Sequence, residues 1–475
     1  MRTYQDFLQT GQDEKKRQSF VRQAIAEYKS STEYRGALTA EAYHRHENLS
    51  MRAYQKFLYT SIGQRVPDSI SANWKMCNGF FPRFVLQEVQ YLLGNGVSWG
   101  NESVKKKLGE SFDAQLVKLA KKAIVQRVGY GFFNLDHVDI FGALEYLPLP
   151  DEENGAHRAG IRFWQIEESR PLRATLYEED GYTDYIWRTR DTGSDKSVDD
   201  VILHPKRPYI LKIKGTPADG ERIYSGENYP TFPIVPLWGN PEHTLFFDGI
   251  REHIDAYDLI KAGFANSIDN NSEVYWVLQN ASGMDDIDLI HFRDALKTIG
   301  AAAVDEDGAT AEPHTISIPF ESREALLDRI KKDLYQDAMA LDTENIASGA
   351  VTATQIEAAY EPLNEKCDDF ESCVGDFIQG ILRAAGIEGE TFSFTRSAMV
   401  NRSEEVQNIV TAAPHLSEEY ATRKILEILG DIDKAEEVLN AIKANEGERL
   451  GFTRQSVNLK KEDAEEQEEE PEEES

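Results

Sequence analysis

The chain has 475 residues, of which 40% are hydrophobic, and its 52 Lys and Arg against 83 Asp and Glu leave a formal charge of −31. That length supports several domains at roughly 100 to 200 residues each, and the apolar content is enough for real cores, which excludes a fibrous or wholly disordered chain. The charge excludes DNA binding through a general basic surface, since such binding works by counterion release from phosphates, but it does not exclude handling DNA.

The polar start MRTYQDFLQTGQDEKKRQ has no apolar signal core, and no run approaches the roughly 18 apolar residues of a spanning helix, so a cytoplasmic chain without a membrane is expected. The segment to about Glu145 reads as helical, with Phe84, Val85, Val89, Leu92 and Leu93 on one face. Gly94 is expected to stop that helix by taking positive φ. From about Ile161 to Pro236 the pattern becomes alternating, as in Tyr185 and Trp187 or Tyr209, Leu211 and Ile213, with Gly, Pro and Asp breaks, which predicts strands and turns.

Helical spacing returns over Asp248 to Asn271, where Ile250, Ile254, Tyr257, Phe264 and Ile268 alternate with acidic Glu252, Asp255, Asp258 and Asp269. An acidic face opposite an apolar one is expected. The insert Ser272 to Pro319 carries strand-like VYWVL and TISI around a turn-rich DEDGATAEP. A second rod follows from about Glu321, with Leu327, Ile330, Leu334 and Leu341 in register. The small and polar DTENIASGAVTATQ reads as a loop. Thr354 and Glu357 fit a capping box for a helix to about Ala385, whose stripe Tyr360, Leu363, Cys367, Phe370, Val374, Phe377 and Ile381 contains Pro362 as an expected kink. Phe392 and Phe394 suggest a short strand, and helices are expected near Ser403 to Thr411, Ser417 to Leu429 and Lys434 to Asn445. Glu462 to Ser475 holds ten acidic residues and no apolar run, so it cannot offset the entropy of folding.

Sites for chemistry are sparse. No phosphate loop, nucleophile elbow or C-x-x-C pair is present, and Cys77, Cys367 and Cys373 read as core thiols. His44, His46 and Glu47 lack metal-ligand spacing on a helix. Asp285, Asp286 and Asp288, or Asp305 and Asp307, could hold a divalent cation, although exposed acidic turns account for them more simply. They are the only support for the alternative function, a carboxylate-metal nucleic-acid-processing enzyme. No catalytic residue, metal ligand or cofactor is assigned.

The order of segments resembles that of the portal proteins of tailed bacteriophages. FPRFVLQEVQYLLGNGV (Phe81 to Val97) resembles an early helix of that family, and FPIVPLWGNPEHTLFFDGIREHIDAYD (Phe232 to Asp258) resembles its passage into a stem helix. ASGAVTATQIEAAYEPLNEKC (Ala347 to Cys367) is similar to its tunnel loop and following helix, and HLSEEYATRKILEILGDIDKAEEVLNAIKANE (His415 to Glu446) to its crown. The resemblance implies an α+β, predominantly helical, ring-forming chain. Its parts would be an N-terminal arm (1–30), a wing (31–240, with part of 354–390), stem helices (241–272 and 320–342) around a clip (273–319), a tunnel loop (343–353), a long helix (354–390), a crown (391–450) and an acidic tail (451–475). It further implies a dodecameric homo-oligomer at one capsid vertex, through which double-stranded DNA is packaged and ejected. The terminase large subunit, capsid and scaffolding proteins and a head-tail adaptor would be its partners, in the host cytoplasm and then the virion. The loop residues Glu344, Asn345, Ile346, Ala347, Ser348, Gly349, Ala350, Val351 and Thr352 would border the DNA, and Glu252, Asp255 and Asp258 would form an acidic, non-adhesive stem wall.

Overall fold

Capping side chains start the N-terminal helices of the protein, whose computed structural model describes residues 2–59, 63–68, 71–101, 103–167, 169–189, 198–215, 223–269, 274–279, 285–299, 310–315, 320–344, 353–397, 409–429 and 435–442. Thr3, Asp13 and Ser31 accept backbone N–H bonds at the starts of α1 (Tyr4–Leu8), α2 (Glu14–Ser30) and α3 (Thr32–His44), which satisfies donors a helix leaves open in its first turn. The chain divides into two units, Met1–Gly349 with Ala358–Ser397, and Ala350–Glu357 with Ala398–Ser475.

In the larger unit, α4 (Leu49–Ala53) and the hairpin of β1 (Phe57–Tyr59) and β2 (Arg65–Pro67) precede α5 (Phe80–Leu93). Phe81, Phe84, Val85, Glu88, Val89 and Leu92 put a buried stripe along α5, and Pro82 falls in its first turn, where no helical N–H is lost. The helix ends at Gly94 as expected, but Gly94 keeps helical φ at −62° and the positive φ falls two residues later, at Gly96 with φ +75°. Next come β3 (Val97–Trp99), α6 (Ser103–Leu108) and α7 (Phe112–Gln126).

The expected helical stretch to Glu145 ends at Arg127, with φ 76°, after which Val128, Tyr130 and Phe132 alternate as a strand does. β4 (Val128–Asn134), β5 (His137–Gly142) and later β13 (Ile234–Trp238) make a three-stranded sheet in the order β13-β4-β5. A second sheet is the antiparallel meander β10-β9-β8-β7-β6, from β6 (Tyr146–Pro150), β7 (His157–Trp164), β8 (Leu172–Glu178), β9 (Gly181–Thr189) and β10 (Val198–Arg207). A hairpin of β11 (Ile210–Gly215) and β12 (Ile223–Glu227) follows. The strands expected between Ile161 and Pro236 are thus present. Residues 4–30, expected as an arm, form a layer over the second sheet: Phe7, Phe20, Val21, Ala24, Ile25 and Tyr28 share one core with Leu147, Ile161, Phe163, Leu176, Tyr185 and Trp187.

Two rods then flank an insert: α8 (Phe246–Asp269), β14 (Val274–Gln279), α9 (Asp286–Ile299), β15 (Thr310–Thr315) and α10 (Phe320–Asp337). The long helix Ala353–Ala384 follows. It begins at Ala353, one residue before the Thr354 expected as its cap. Leu363, Cys367, Phe370, Val374, Phe377 and Ile381 are all at most 2% exposed, and each large apolar side chain so buried contributes about 1.5–3 kcal/mol. The helix continues through Pro362, which is exposed like Ala358, whose carbonyl loses a donor but faces water. Where it crosses the β13-β4-β5 sheet, a Cβ on Gly131 would meet the Phe377 ring at 2.6 Å and one on Gly380 would meet Val235 Cγ1 at 2.5 Å, so only glycine permits the approach.

β16 (Phe392–Phe394), the expected short strand, returns to pair with β3, placing Phe392 opposite Trp99. In the smaller unit, Ser417 accepts the Tyr420 N–H at 3.3 Å and starts the Glu418–Leu429 helix as its sequence predicts. Residues 435–442 are also helical, and the acidic tail lies outside the described residues.

Candidate channel elements

The rods α8 and α10 run antiparallel, as contacts at both ends show. The imidazole of His253 lies 3.3 Å from the Asp337 carboxylate at one end, and the Phe264 and Phe320 rings are 5.4 Å apart at the other. With 24 residues at about 1.5 Å each, α8 spans about 36 Å. Its base is seated in aromatic rings. Phe247 packs against Tyr43 and Phe81, and Tyr257 stands edge-on to Phe80, while Tyr335 of α10 packs edge-on to Phe84. The Phe80-Phe81-x-x-Phe84 start of α5 therefore roots both rods.

An extended segment from Ser71 to Gly79 lies along α8 in the opposite direction. Trp74 donates its backbone N–H to Asn266 Oδ1 at 2.6 Å, and Asn266 Nδ2 donates back to the Trp74 carbonyl at 3.3 Å. Further down, Asn78 donates from its backbone and side chain to Asp258 Oδ1 at 3.1 and 2.5 Å, and Lys261 donates to Asn78 Oδ1 at 2.8 Å.

These contacts correct the expected acidic wall. Asp258 is fully buried, and Asn48 donates to its second oxygen at 2.8 Å. Burial raises its pKa, against the hydrogen bonds from Asn78 and Asn48. Asp255 accepts from the Tyr43 and Ser50 hydroxyls at 2.6 and 2.7 Å. Both carboxylates anchor the rod to the N-terminal helices. The expectation failed because it placed every acidic residue of the rod outward, whereas a buried carboxylate is tolerated when donors surround it. Of the three, Glu252 is exposed, on a face shared with Gly249, Leu259 and Gly263. A Cβ added at either glycine would meet nothing within 4 Å.

In the insert, β14 and β15 pair antiparallel from Val274 with Thr315 to Gln279 with Thr310, so the second strand precedes most of the expected TISI, of which residues 316–318 lie outside the described set. The helix α9 was not foreseen. Its signal was the acidic cluster itself: Asp285 Oδ1 accepts the Ile287 and Asp288 amides at 2.9 Å, and Asp288 Oδ2 accepts the Asp285 amide at 3.1 Å. That reciprocal cap uses the carboxylates that could have suggested a cation site. Asp305 and Asp307 lie outside the described residues, among which no group of three or more His, Cys, Asp or Glu is placed to hold a metal. Exposed Ile287, Leu289 and Ile290 line α9.

Of the expected loop, Glu344 pairs with Lys331 of α10 and donates its backbone N–H to Asp342 Oδ1 at 3.1 Å. The Lys331 ammonium holds the Glu344 carboxyl below its ordinary pKa. Asn345, Ile346, Ala347, Ser348, Gly349, Ala350, Val351 and Thr352 lie outside the described residues. Cys367 is buried, while Cys77 and Cys373 are partly exposed, and all three are free thiols.

Two rods are rooted side by side, with an insert between them and a long helix after them. Residues 173–451 match the family described as "Phage portal protein, SPP1 Gp6-like". The portal protein of Bacillus phage SPP1 is 25% identical over 389 residues, covering 74% of this chain and 72% of its own length. The portal protein of Clostridium phage phiCD119 is 25% identical over 195 residues, covering 39% of this chain and 43% of its own. The matched span takes in more than half of the chain, including both rods, the insert and the long helix, and the chain belongs to the SPP1 Gp6-like family of phage portal proteins.

Proposed function

We propose that this chain is one subunit of a closed ring, expected to be a dodecamer, that forms the double-stranded DNA channel at one capsid vertex. In this reading α8 and α10 are the stem and residues 273–319 the clip that docks the terminase large subunit and later the head-tail adaptor. Residues 343–353 form the tunnel loop, and the meander with its helical layer is the wing against capsid and scaffolding proteins. Assembly takes place in the host cytoplasm before the ring enters the virion. The observation that carries this is the antiparallel rod pair rooted on α5. It presents one narrow helical edge per subunit, which a heterologous interface can repeat around an axis until it closes.

With Asp255 and Asp258 held by N-terminal donors, only Glu252 of the three acidic residues is kept for the wall in this reading. Glu252 with Gly249, Leu259 and Gly263 is the face of α8 left uncovered within the subunit, so this strip borders the lumen or the neighbouring subunit. A strip carrying Glu252 among Gly249, Leu259 and Gly263 would hold the duplex weakly, as passage requires. Glu344, paired with Lys331 of α10, belongs to the tunnel loop in this reading.

Negative-stain microscopy of the purified full chain tests the assignment. Rings with a central hole are expected. A monomer that cleaves DNA in a magnesium-dependent way would replace it with the enzyme reading, which has lost the Asp285 and Asp288 oxygens to a helix cap.

A further inference from the structure

One side chain of the long helix reaches three other elements at once. The Lys366 ammonium is 2.7 Å from Glu88 Oε2 on α5, donates to the Ala338 carbonyl just past the end of α10 at 3.1 Å, and sits 3.6 Å from the centre of the Phe246 ring at the start of α8. Glu88 is 1% exposed and the Lys366 side chain 14%. Ion pairs are rarely buried for stability alone, because desolvation offsets most of the attraction and an apolar pair of similar volume is often as stable. Here the cation does more than neutralise Glu88. It satisfies a carbonyl at the C-terminal end of one rod, where a helix presents negative partial charge, and lies on the ring that opens the other.

The same stretch of α5 receives the chain on both sides of the intervening segment. Gln87 exchanges two bonds with Leu341, at 3.1 and 3.2 Å, before the chain leaves. On its return, Tyr91 donates to Asn364 Oδ1 at 2.5 Å and stacks with Tyr360 at 5.5 Å. Lys366 closes this frame by reaching from the returning helix to the departing rod.

We infer that Lys366 is a positioning residue for the channel: its ammonium sets the ends of both rods against the long helix, independently of its pairing with Glu88. The inference rests on the portal reading for its purpose, but its geometry is tested without it. Two double variants of the full chain separate the roles. Glu88→Leu with Lys366→Met removes both charges at similar volume, leaving no buried charge unpaired. Glu88→Lys with Lys366→Glu keeps an ion pair but places a carboxylate, which cannot donate, at the Ala338 carbonyl and over the electron-rich face of Phe246.

Hydrogen exchange on the purified protein is the readout. Both variants are expected to speed exchange of the Leu341 amide by about tenfold or more while the β8 amides stay within about twofold of the parent, the pattern of a local opening. Parent-like Leu341 protection in the charge-swapped variant would show that Lys366 serves only as the partner of Glu88 and would overturn the inference, as would equal acceleration in β8. In packaging reactions the variants should form rings yet load less DNA, and full loading alongside a loosened Leu341 would remove the functional half. Absence of rings from the parent protein would instead sink the portal reading and leave the exchange result standing.

Discussion

Replacing Asp258 with Ala removes the acceptor for three donors at once: the Asn48 side chain at 2.8 Å and the Asn78 backbone and side chain at 3.1 and 2.5 Å. Hydrogen bonds to a charged group contribute about 1.5–3 kcal/mol each, and a buried donor left alone costs about 1–3 kcal/mol. Asn48 is 2% exposed, whereas Asn78 is partly exposed and recovers some solvation. Relief of the carboxylate's own burial, the cause that raises the Asp258 pKa, works the other way. The net loss is expected to be about 2–4 kcal/mol, or roughly 30- to 900-fold in the local unfolding equilibrium. Because the folded-state pKa lies above the unfolded one, the carboxyl contributes more stability at low pH and less as pH rises through its raised value. The variant's deficit should therefore widen on acidification from pH 7 toward 4. Urea denaturation followed by tryptophan fluorescence measures the total, and hydrogen exchange at the Asn78 amide isolates the site. Exposed Glu252→Ala, expected within about 0.5 kcal/mol of the parent, is the control. A deficit for Asp258→Ala no larger than the control's, or an unchanged Asn78 amide, would refute the anchoring role.

Three further outcomes follow from other sites. His157 accepts or donates at 2.8 Å with the Tyr146 hydroxyl, and burial pushes its imidazole down to about 4, so its contribution is complete above the unfolded value near 6.5 and is lost as pH falls. Fully expressed this is about 3 kcal/mol, and His157→Gln should flatten the acid limb of urea midpoints measured between pH 7 and 4. Gly131→Ala places a methyl 2.6 Å from the Phe377 ring and should cost about 1–3 kcal/mol in the same urea assay, where a neutral result would mean that the long helix can lift from β4. Gly249→Ala meets open space, so it should raise subunit stability by about 0.5–1 kcal/mol through helix propensity. If the Gly249 face contacts a neighbour closely, the same change should lower ring yield in electron micrographs, and an undiminished yield would assign that face to the lumen.

The rods, the middle strands and the long helix were legible because hydrophobic period reports directly on burial: Ile250 and Ile254, or Phe370, Val374 and Phe377, face a core whatever their partner. What the period could not carry was the side on which a charge falls. Asp258 looks like a solvated residue from its own helix, and its partners Asn48 and Asn78 come from distant segments. Nor could it distinguish Asp285 and Asp288 as cap or ligand, since both roles ask for carboxylates near a turn. The switch to strands at Val128 was hidden behind the strong helix before it, and its marker, Arg127 with positive φ, has no signature in residue type. The N-terminal helices read correctly as helices, but their place over strands from Leu147 to Trp187 depends on the folded meander.

The pairing of β3 with β16 also bears on how the molecule is made. Trp99 waits for Phe392, so at about 5–20 residues per second a ribosome takes roughly 15–60 s to deliver the partner strand after the first has emerged. During that interval both rods, the insert and the whole long helix are synthesised as an excursion from an open seam. A chain cut short anywhere along the excursion leaves β3 with a bare edge, which marks truncated products for capture by chaperones or proteases.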